Sequence, residues 1–318
     1  MSPPRATRGI LNIVRTMVTS LLSVSNKDCK NPVVKLYSLH SMNSEVNQSK
    51  KLRVIHFVRH AEGYHNVNKD YRSPAHIDAL LTPKGIQQCK DLSTDLEKRL
   101  STMDCHNGMT KDETPHLIGR NNKNIFDVEC IISSPMRRAL QTAQHSFEHL
   151  LILNKNQHEC NNDEKESESN LLSHQNTRIP FIACEEWRET VNYLCDQRIS
   201  SSNLKESFPL VNFEHIQYEH DPIWDKYESI YGSHDAFDKH RESADDSGLR
   251  ERGILAWKFI GNRDEHCIAV VSHSAFFMNM FTRPELCIVS FADDDVEKLM
   301  TERPFENCEI RSMAFELI

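Results

Sequence analysis

Three short apolar runs, each built of strand-forming residues and each ending in reactive side chains, limit this chain more than anything else in it. Val54-Ile55-His56-Phe57-Val58 stops at Arg59-His60. Val128 to Ile132 stops at Ser133-Ser134-Pro135-Met136-Arg137-Arg138. Ile268 to Val271 stops at Ser272-His273-Ser274. Short, near-continuous apolar runs suit strands of a parallel sheet that is covered on both faces. Helical patterns lie between them. Thr82-Pro83 reads as a cap with Pro at the first helical position, opening a helix that runs to about Leu100. Ser134-Pro135 repeats the signal, and Met136, Leu140, Ala143, Phe147 and Leu150 recur at helical spacing after it. Leu249 to Ile260 forms a third helical pattern, with Ser247 as its expected cap. Strands alternating with helices predict an α/β fold: a three-layer α/β/α sandwich around a mostly parallel sheet.

The ordered domain is expected over residues 51–318, after a polar stretch at 25–50 without periodicity. Met1 to Lys27 holds no Asp or Glu, while Arg5, Arg8, Arg15 and Lys27 are basic and Leu11, Ile13, Val14, Val18, Leu21 and Leu22 are apolar. Residues 1–50 are therefore read either as carrying a mitochondrial or plastid transit peptide or as a disordered leader on a cytoplasmic protein. Residues near 101–124 and 154–177 are polar and lack a helical or strand period, so they read as surface insertions. No run of about 18 apolar residues is present, so no membrane span is expected. The formal net charge of -8 argues against a nucleic-acid partner. The 10 cysteines contain no CxxC pair and no zinc-like grouping with His. Free buried thiols, as at Cys130 and Cys267, and a reducing compartment are the expectation. Asp293-Asp294-Asp295 reads as a solvated turn, and no metal site is expected.

Ligands of parallel α/β sheets bind beyond the carboxyl ends of the strands. Three such ends would aim two histidines and up to three arginines at one crevice. That inventory suits a phosphoryl group on a small phosphorylated substrate. Arginine presents a planar fork to phosphate oxygens, and a helix starting near Pro135 adds free N–H groups. A neutral imidazole can attack phosphorus, and cationic neighbours can stabilise the transferring oxygens without a metal. Other residues stay open at this point. His56, inside the first strand, is expected to be a satisfied buried histidine. His65 either touches substrate or lies on an exposed loop. The aromatic and acidic segment 213–231 either lines the substrate mouth or caps the core.

Four ordered motifs carry a resemblance. They are Arg59-His60-Ala61-Glu62-Gly63 with Asn66, Leu81-Thr82-Pro83-Lys84-Gly85 with Gln88, Ser133-Ser134-Pro135 leading to Arg138-Ala139 and Thr142-Ala143, and Val271-Ser272-His273. Together they resemble the histidine phosphatase superfamily, the phosphoglycerate-mutase-like proteins, over roughly residues 52 to 315 without the insertions. Trp187-Arg188-Glu189, Cys195-Asp196-Gln197-Arg198, Phe208-Pro209, Trp224 and Phe305 through Ser312 are similar to the plant and fungal branch. The resemblance implies that fold and a set of roles. His60 would accept the phosphoryl group. Arg59, Arg138 and His273 would clamp it, with Arg138 rather than Arg137 turned inward, and Asn66 would add a neutral donor. Glu189 would serve as general acid and then base, with Glu185 and Glu186 as rivals for that role.

The activity implied is a metal-independent phosphomonoester hydrolase working through phosphohistidine, with no cofactor. Two alternatives stand beside it: a phosphoglycerate mutase that returns the phosphoryl group to a second hydroxyl, and a catalytically silent phosphate-binding protein. No dedicated Arg or Lys for a substrate carboxylate is identifiable, which places the hydrolase first. Substrate identity and oligomeric state stay open. Ala61 stands where the family often has Gly, which would strain the backbone if φ were positive there. Ser274 likewise stands where Gly is common.

Overall fold

A computed structural model describes residues 31–44, 47, 50–67, 69–101, 124–151, 178–236 and 239–318. The first 30 residues and nearly all of both expected insertions lie outside these. The strands are β1 (Val34–Tyr37), β2 (Arg53–Arg59), β3 (Cys130–Ser133), β4 (Phe181–Ala183), β5 (Cys267–Ser272), β6 (Val289–Phe291) and β7 (Ile310–Leu317). The longer helices are α1 (Pro83–Ser101), α2 (Arg137–Ser146), α3 (Pro222–Tyr231), α4 (Asp246–Gly261), α5 (Ser274–Thr282) and α6 (Asp294–Thr301).

The strands form one sheet in the order β4-β3-β5-β2-β7-β1-β6. β4, β3, β5 and β2 pair in parallel, and β7 runs against both of its neighbours. Side chains alternate between two buried layers, as a pleated strand requires. Val54, Val58, Ile131, Ala269 and Val271 join one cluster with Cys89 and Leu92 of α1 and Ala139 and Ala143 of α2. Ile55, Phe57, Ile132, Ile268 and Val270 join the other with Trp257 of α4, Phe277 of α5 and Met300 of α6. Helices thus cover both faces, and the expected three-layer α/β fold is what forms. No helix among the described residues is long and apolar enough to cross a membrane.

Three boundaries differ from expectation. The domain does not begin at Lys51. Val34 and Leu36 are fully buried, and β1 pairs antiparallel with β7 and parallel with β6. A four-residue strand has too little pattern to announce itself, and its partners lie some 250 or more residues on, as in Val34 with Leu317. The α4 helix starts at Asp246, and its cap is Asp245, not Ser247; the Asp245 side chain accepts from the Gly248 N–H at 3.1 Å. The carboxylate reaches the third amide of the helix, and the Ser247 hydroxyl donates to that same carboxylate at 2.8 Å. The α2 helix starts at Arg137 rather than at Pro135, with no local side-chain cap. Its first N–H is taken by distant Asp78 Oδ1 at 2.7 Å.

The α1 helix opens as read: the Gly85 N–H donates to Thr82 Oγ1 at 3.0 Å. Gly85 presses on the loop that follows β2, where an added Cβ would lie 2.2 Å from the Glu62 carbonyl oxygen. Gly85→Ala is expected to destabilise the fold by about 1–3 kcal/mol through overpacking, read as a lower thermal midpoint. An unchanged midpoint would mean that the Glu62 loop moves aside at no cost.

Candidate active site

The sheet order explains why distant sequence segments meet. β2 and β5 are neighbours with Arg59 opposite Ser272, so the next residue of each strand leaves the sheet at the same level. The His60 N–H donates to the Ser272 carbonyl at 2.9 Å. The rings of His60 and His273 then lie 5.0 Å apart between centroids. β3 flanks β5 on the other side, and the Ser134 N–H donates to Val271 O at 2.9 Å. Ser134 Oγ lies 2.7 Å from His273 Nε2 and fixes that ring.

His60 is 2 % exposed. Its Nδ1 is 2.7 Å from the Ala61 carbonyl, an acceptor only, so Nδ1 carries the ring proton and Nε2 keeps its lone pair. Burial, and then the charges of Arg138 and Arg59, hold the His60 pKa well below the usual imidazole value. His273 is shifted in the same direction by burial, Arg138 and His60. Both rings are therefore neutral near pH 7. The backbone of the loop is pinned from below, with Asn307 Nδ2 donating to His60 O at 3.1 Å and the Cys308 N–H donating to Arg59 O at 3.1 Å.

Arg59 donates through Nη1 to Phe305 O at 2.7 Å, and its Nε is buried without a partner. Arg138 is 1 % exposed and donates to Cys195 O at 2.8 Å; its Nη2 lies 3.3 Å from Asp196 Oδ1, and its Nε has no partner. Arg137 turns away instead and donates through Nε to Asp78 O at 2.7 Å. The ring nitrogens His273 Nδ1 and His65 Nδ1 are likewise buried and unmatched. Buried polar atoms are normally paired, so several unpaired nitrogens around one imidazole mark a place for an acceptor.

Glu189 sits over the first turn of α5. Its Oε1 accepts from the Phe276 N–H at 2.8 Å and the Thr190 N–H at 2.9 Å, and its Oε2 accepts from the Ala275 N–H at 3.3 Å. Burial and then the Asp196 carboxylate raise its pKa, while Arg138 works against them. Glu185 is instead 2.7 Å from Arg198 Nε and 3.4 Å from Arg188 Nη1. Glu186 accepts from the Cys184 thiol at 3.1 Å. Of the three glutamates, Glu189 is the one whose charge reaches both Arg59 and Arg138.

Asn66 lies in the short helical turn Tyr64–Val67 beyond β2. Its Oδ1 accepts from the Gly63 N–H at 3.0 Å, closing the loop on itself. Its neighbour His65 lies against the His60 ring, at 5.5 Å between centroids. Ala61 has no positive φ, so the expected strain does not arise; its N–H donates to Thr142 Oγ1 at 2.9 Å. His56 is buried with Nδ1 2.7 Å from Ser312 Oγ and Nε2 2.8 Å from Ile125 O, a satisfied core histidine. Trp224 and Tyr227 of α3 are buried against Val191 and Leu194, so this part of 213–231 packs as a cap.

Sequence reasoning quoted Ser134 and Asp196 without giving them a role and did not single out Asp221. Arg188 is fully buried and forks onto Asp221 at 2.6 and 2.8 Å, while also donating to the Asp196 carbonyl. The Asp221 carboxylate in turn accepts from the Arg198 N–H at 2.8 Å. No local spacing signals a pairing across 33 residues. Arg188→Met is expected to destabilise by about 3–5 kcal/mol, because it strands the Asp221 charge in the interior. Chemical denaturation measures this, and a loss under about 1 kcal/mol would mean that water reaches Asp221.

No protein-family model matches the chain. A phosphoglycerate mutase-like protein of Arabidopsis thaliana is 30% identical over 302 residues, covering 89% of this chain and 88% of that protein. The chain belongs to the phosphoglycerate mutase-like proteins of the histidine phosphatase superfamily. A second member from the same plant, phosphoglycerate mutase-like protein 1, is 28% identical over 295 residues, covering 87% of this chain and 83% of that protein. A Schizosaccharomyces pombe protein named a probable phosphatase is 21% identical over 257 residues, covering 81% of this chain and 88% of that protein. Among solved structures, mycobacterial hydrolase 1 superimposes with a TM-score of 0.39 at 13% identity, over 84% of this chain and 97% of that one. Arg59 ends β2 and His60 follows it, Arg138 lies in the first turn of α2 beyond β3, and His273 follows β5.

Proposed function

We propose that the chain is a phosphatase that hydrolyses phosphomonoesters through a phosphohistidine on His60. One observation carries the reading: a neutral imidazole with a free Nε2 lies among buried guanidinium and ring nitrogens that lack an acceptor. The substrate phosphoryl oxygens take the donors of Arg59, Arg138 and His273. His60 Nε2 attacks phosphorus, and the P–O bond to the leaving group breaks. Glu189, whose pKa is raised by burial and then by Asp196, gives its proton to the departing alkoxide. Water then attacks the phosphorus of phospho-His60, passing its proton to the Glu189 carboxylate. The N–P bond breaks, inorganic phosphate leaves, and both residues return to their starting forms. Charge on the transferring oxygens is met by Arg59 and Arg138, so no metal ion takes part. Asn66 holds the loop after β2 through its Oδ1 and offers its Nδ2 to a phosphoryl oxygen as a neutral donor.

The test is a rapid quench of the protein with a panel of ³²P-labelled phosphate esters. Label should appear on the peptide carrying His60 and be stable to alkali and lost in acid. Label that stays absent with every ester, while phosphate is still released, would overturn the phosphohistidine step. A bisphosphorylated product retained during turnover would assign the chain to mutase chemistry instead.

A further inference from the structure

His65 has no part in the reaction written above, yet it is built into the same site. It lies in the short helical turn Tyr64–Val67 and is 4 % exposed. Its ring is 5.5 Å from that of His60 on one side and 6.1 Å from that of Tyr71 on the other. Its Nδ1 is buried and has no hydrogen-bond partner among the described residues. The chain makes room for this ring with a glycine, since a Cβ on Gly63 would sit 2.7 Å from His65 Cε1 and 2.8 Å from Nδ1. A ring needed only as filler would be apolar and would leave no nitrogen unmatched. Burial, and then Arg138 and Arg59, pull the His65 pKa down to about 2, so the ring is neutral at all physiological pH. It can therefore donate a hydrogen bond without adding charge.

What arrives beside the His60 ring on turnover is a phosphoryl group with three oxygens, all acceptors. We propose that His65 is a catalytic residue, its Nδ1–H donating to a phosphoryl oxygen while that group passes to His60. The inference rests on the phosphohistidine reading. His65 keeps its proton throughout; it forms a hydrogen bond and no covalent bond.

His65→Phe keeps a ring of similar size and removes the donor. His65→Asn places an amide N–H near the position of Nδ1. With p-nitrophenyl phosphate, His65→Phe should lower kcat about 100-fold with KM within threefold, as loss of a transition-state donor does. Orthovanadate, which mimics the transferring group, should bind that variant more weakly by a similar factor. His65→Asn should recover at least about tenfold of the loss. A His65→Phe protein with kcat and vanadate affinity within threefold of wild type would overturn the proposal. So would equal defects in the Phe and Asn variants, which would assign His65 to packing. Should the wild type form no phosphohistidine at all, the reading of His60 fails, and vanadate affinity alone still reports on His65. If His65→Phe does not fold, the Asn variant against wild type decides: vanadate affinity reduced by more than 30-fold overturns the donor role.

Discussion

Replacing His60 with alanine is expected to lower phosphatase turnover by about 10⁴-fold or more and to abolish incorporation of acid-labile phosphate. The size follows from the absence of a stand-in among the described neighbours. His273 sits 5.0 Å away, but its Nε2 is held by Ser134 Oγ. His65 belongs to the turn after β2, its ring 5.5 Å from that of His60 and packed against Gly63. Neither can take up the attacking position without rebuilding its surroundings. The cationic clamp does not depend on His60: Arg59 is fixed by Phe305 O, and Arg138 by Cys195 O and Asp196. Vanadate affinity should therefore fall far less than turnover in the alanine variant. Steady-state kinetics and vanadate titration on the same preparation measure both. Residual turnover within tenfold of wild type would sink the assignment of the nucleophile.

Glu189→Gln should reduce hydrolysis of alkyl phosphates by about 10²–10⁴-fold. An alkoxide leaves poorly without a proton, and Gln cannot supply one. p-Nitrophenolate leaves without that help, so phosphorylation of His60 by p-nitrophenyl phosphate should suffer much less. Water attack on phospho-His60 still needs a base, so the variant should accumulate phosphoenzyme and show a burst of nitrophenol. The pH profile carries a sign. Burial and Asp196 raise the Glu189 pKa, so the reactive acid persists above the ordinary carboxyl range and is lost as pH rises through the raised value. His60, with its depressed pKa, stays unprotonated as pH falls below the ordinary imidazole range. For an alkyl ester, activity should hold on the acid side and decline on the alkaline side, and in Glu189→Gln that alkaline decline should be gone. Equal losses for both esters in the phosphorylation step would remove Glu189 from the role of proton donor and bring buried Asp196 forward.

Much of the frame was legible because local chemistry dictates it. Apolar runs of four or five residues resist exposure to water, and β2, β3 and β5 formed where they stand. Thr82-Pro83 capped α1 as read, since both the side-chain acceptor and the fixed proline φ act within one turn. Two of the three misread boundaries share one cause, which is distance along the chain. β1 pairs only with β6 and β7, which lie some 250 residues on, and the α2 helix takes its cap from Asp78.

The linear text by itself fixed which reactive groups exist and that each stands at the end of a strand, because strand formation and termination are decided by neighbours in sequence. The tertiary structure alone decided which of them meet. The order β3-β5-β2 sets His60 beside His273 and turns Arg138 inward while Arg137 goes to Asp78. It also brought in His65, and it supported Arg188 from Asp221, 33 residues away. Burial then neutralised the imidazoles and raised the Glu189 pKa. A pKa is a property of surroundings, and surroundings exist only once the chain has folded.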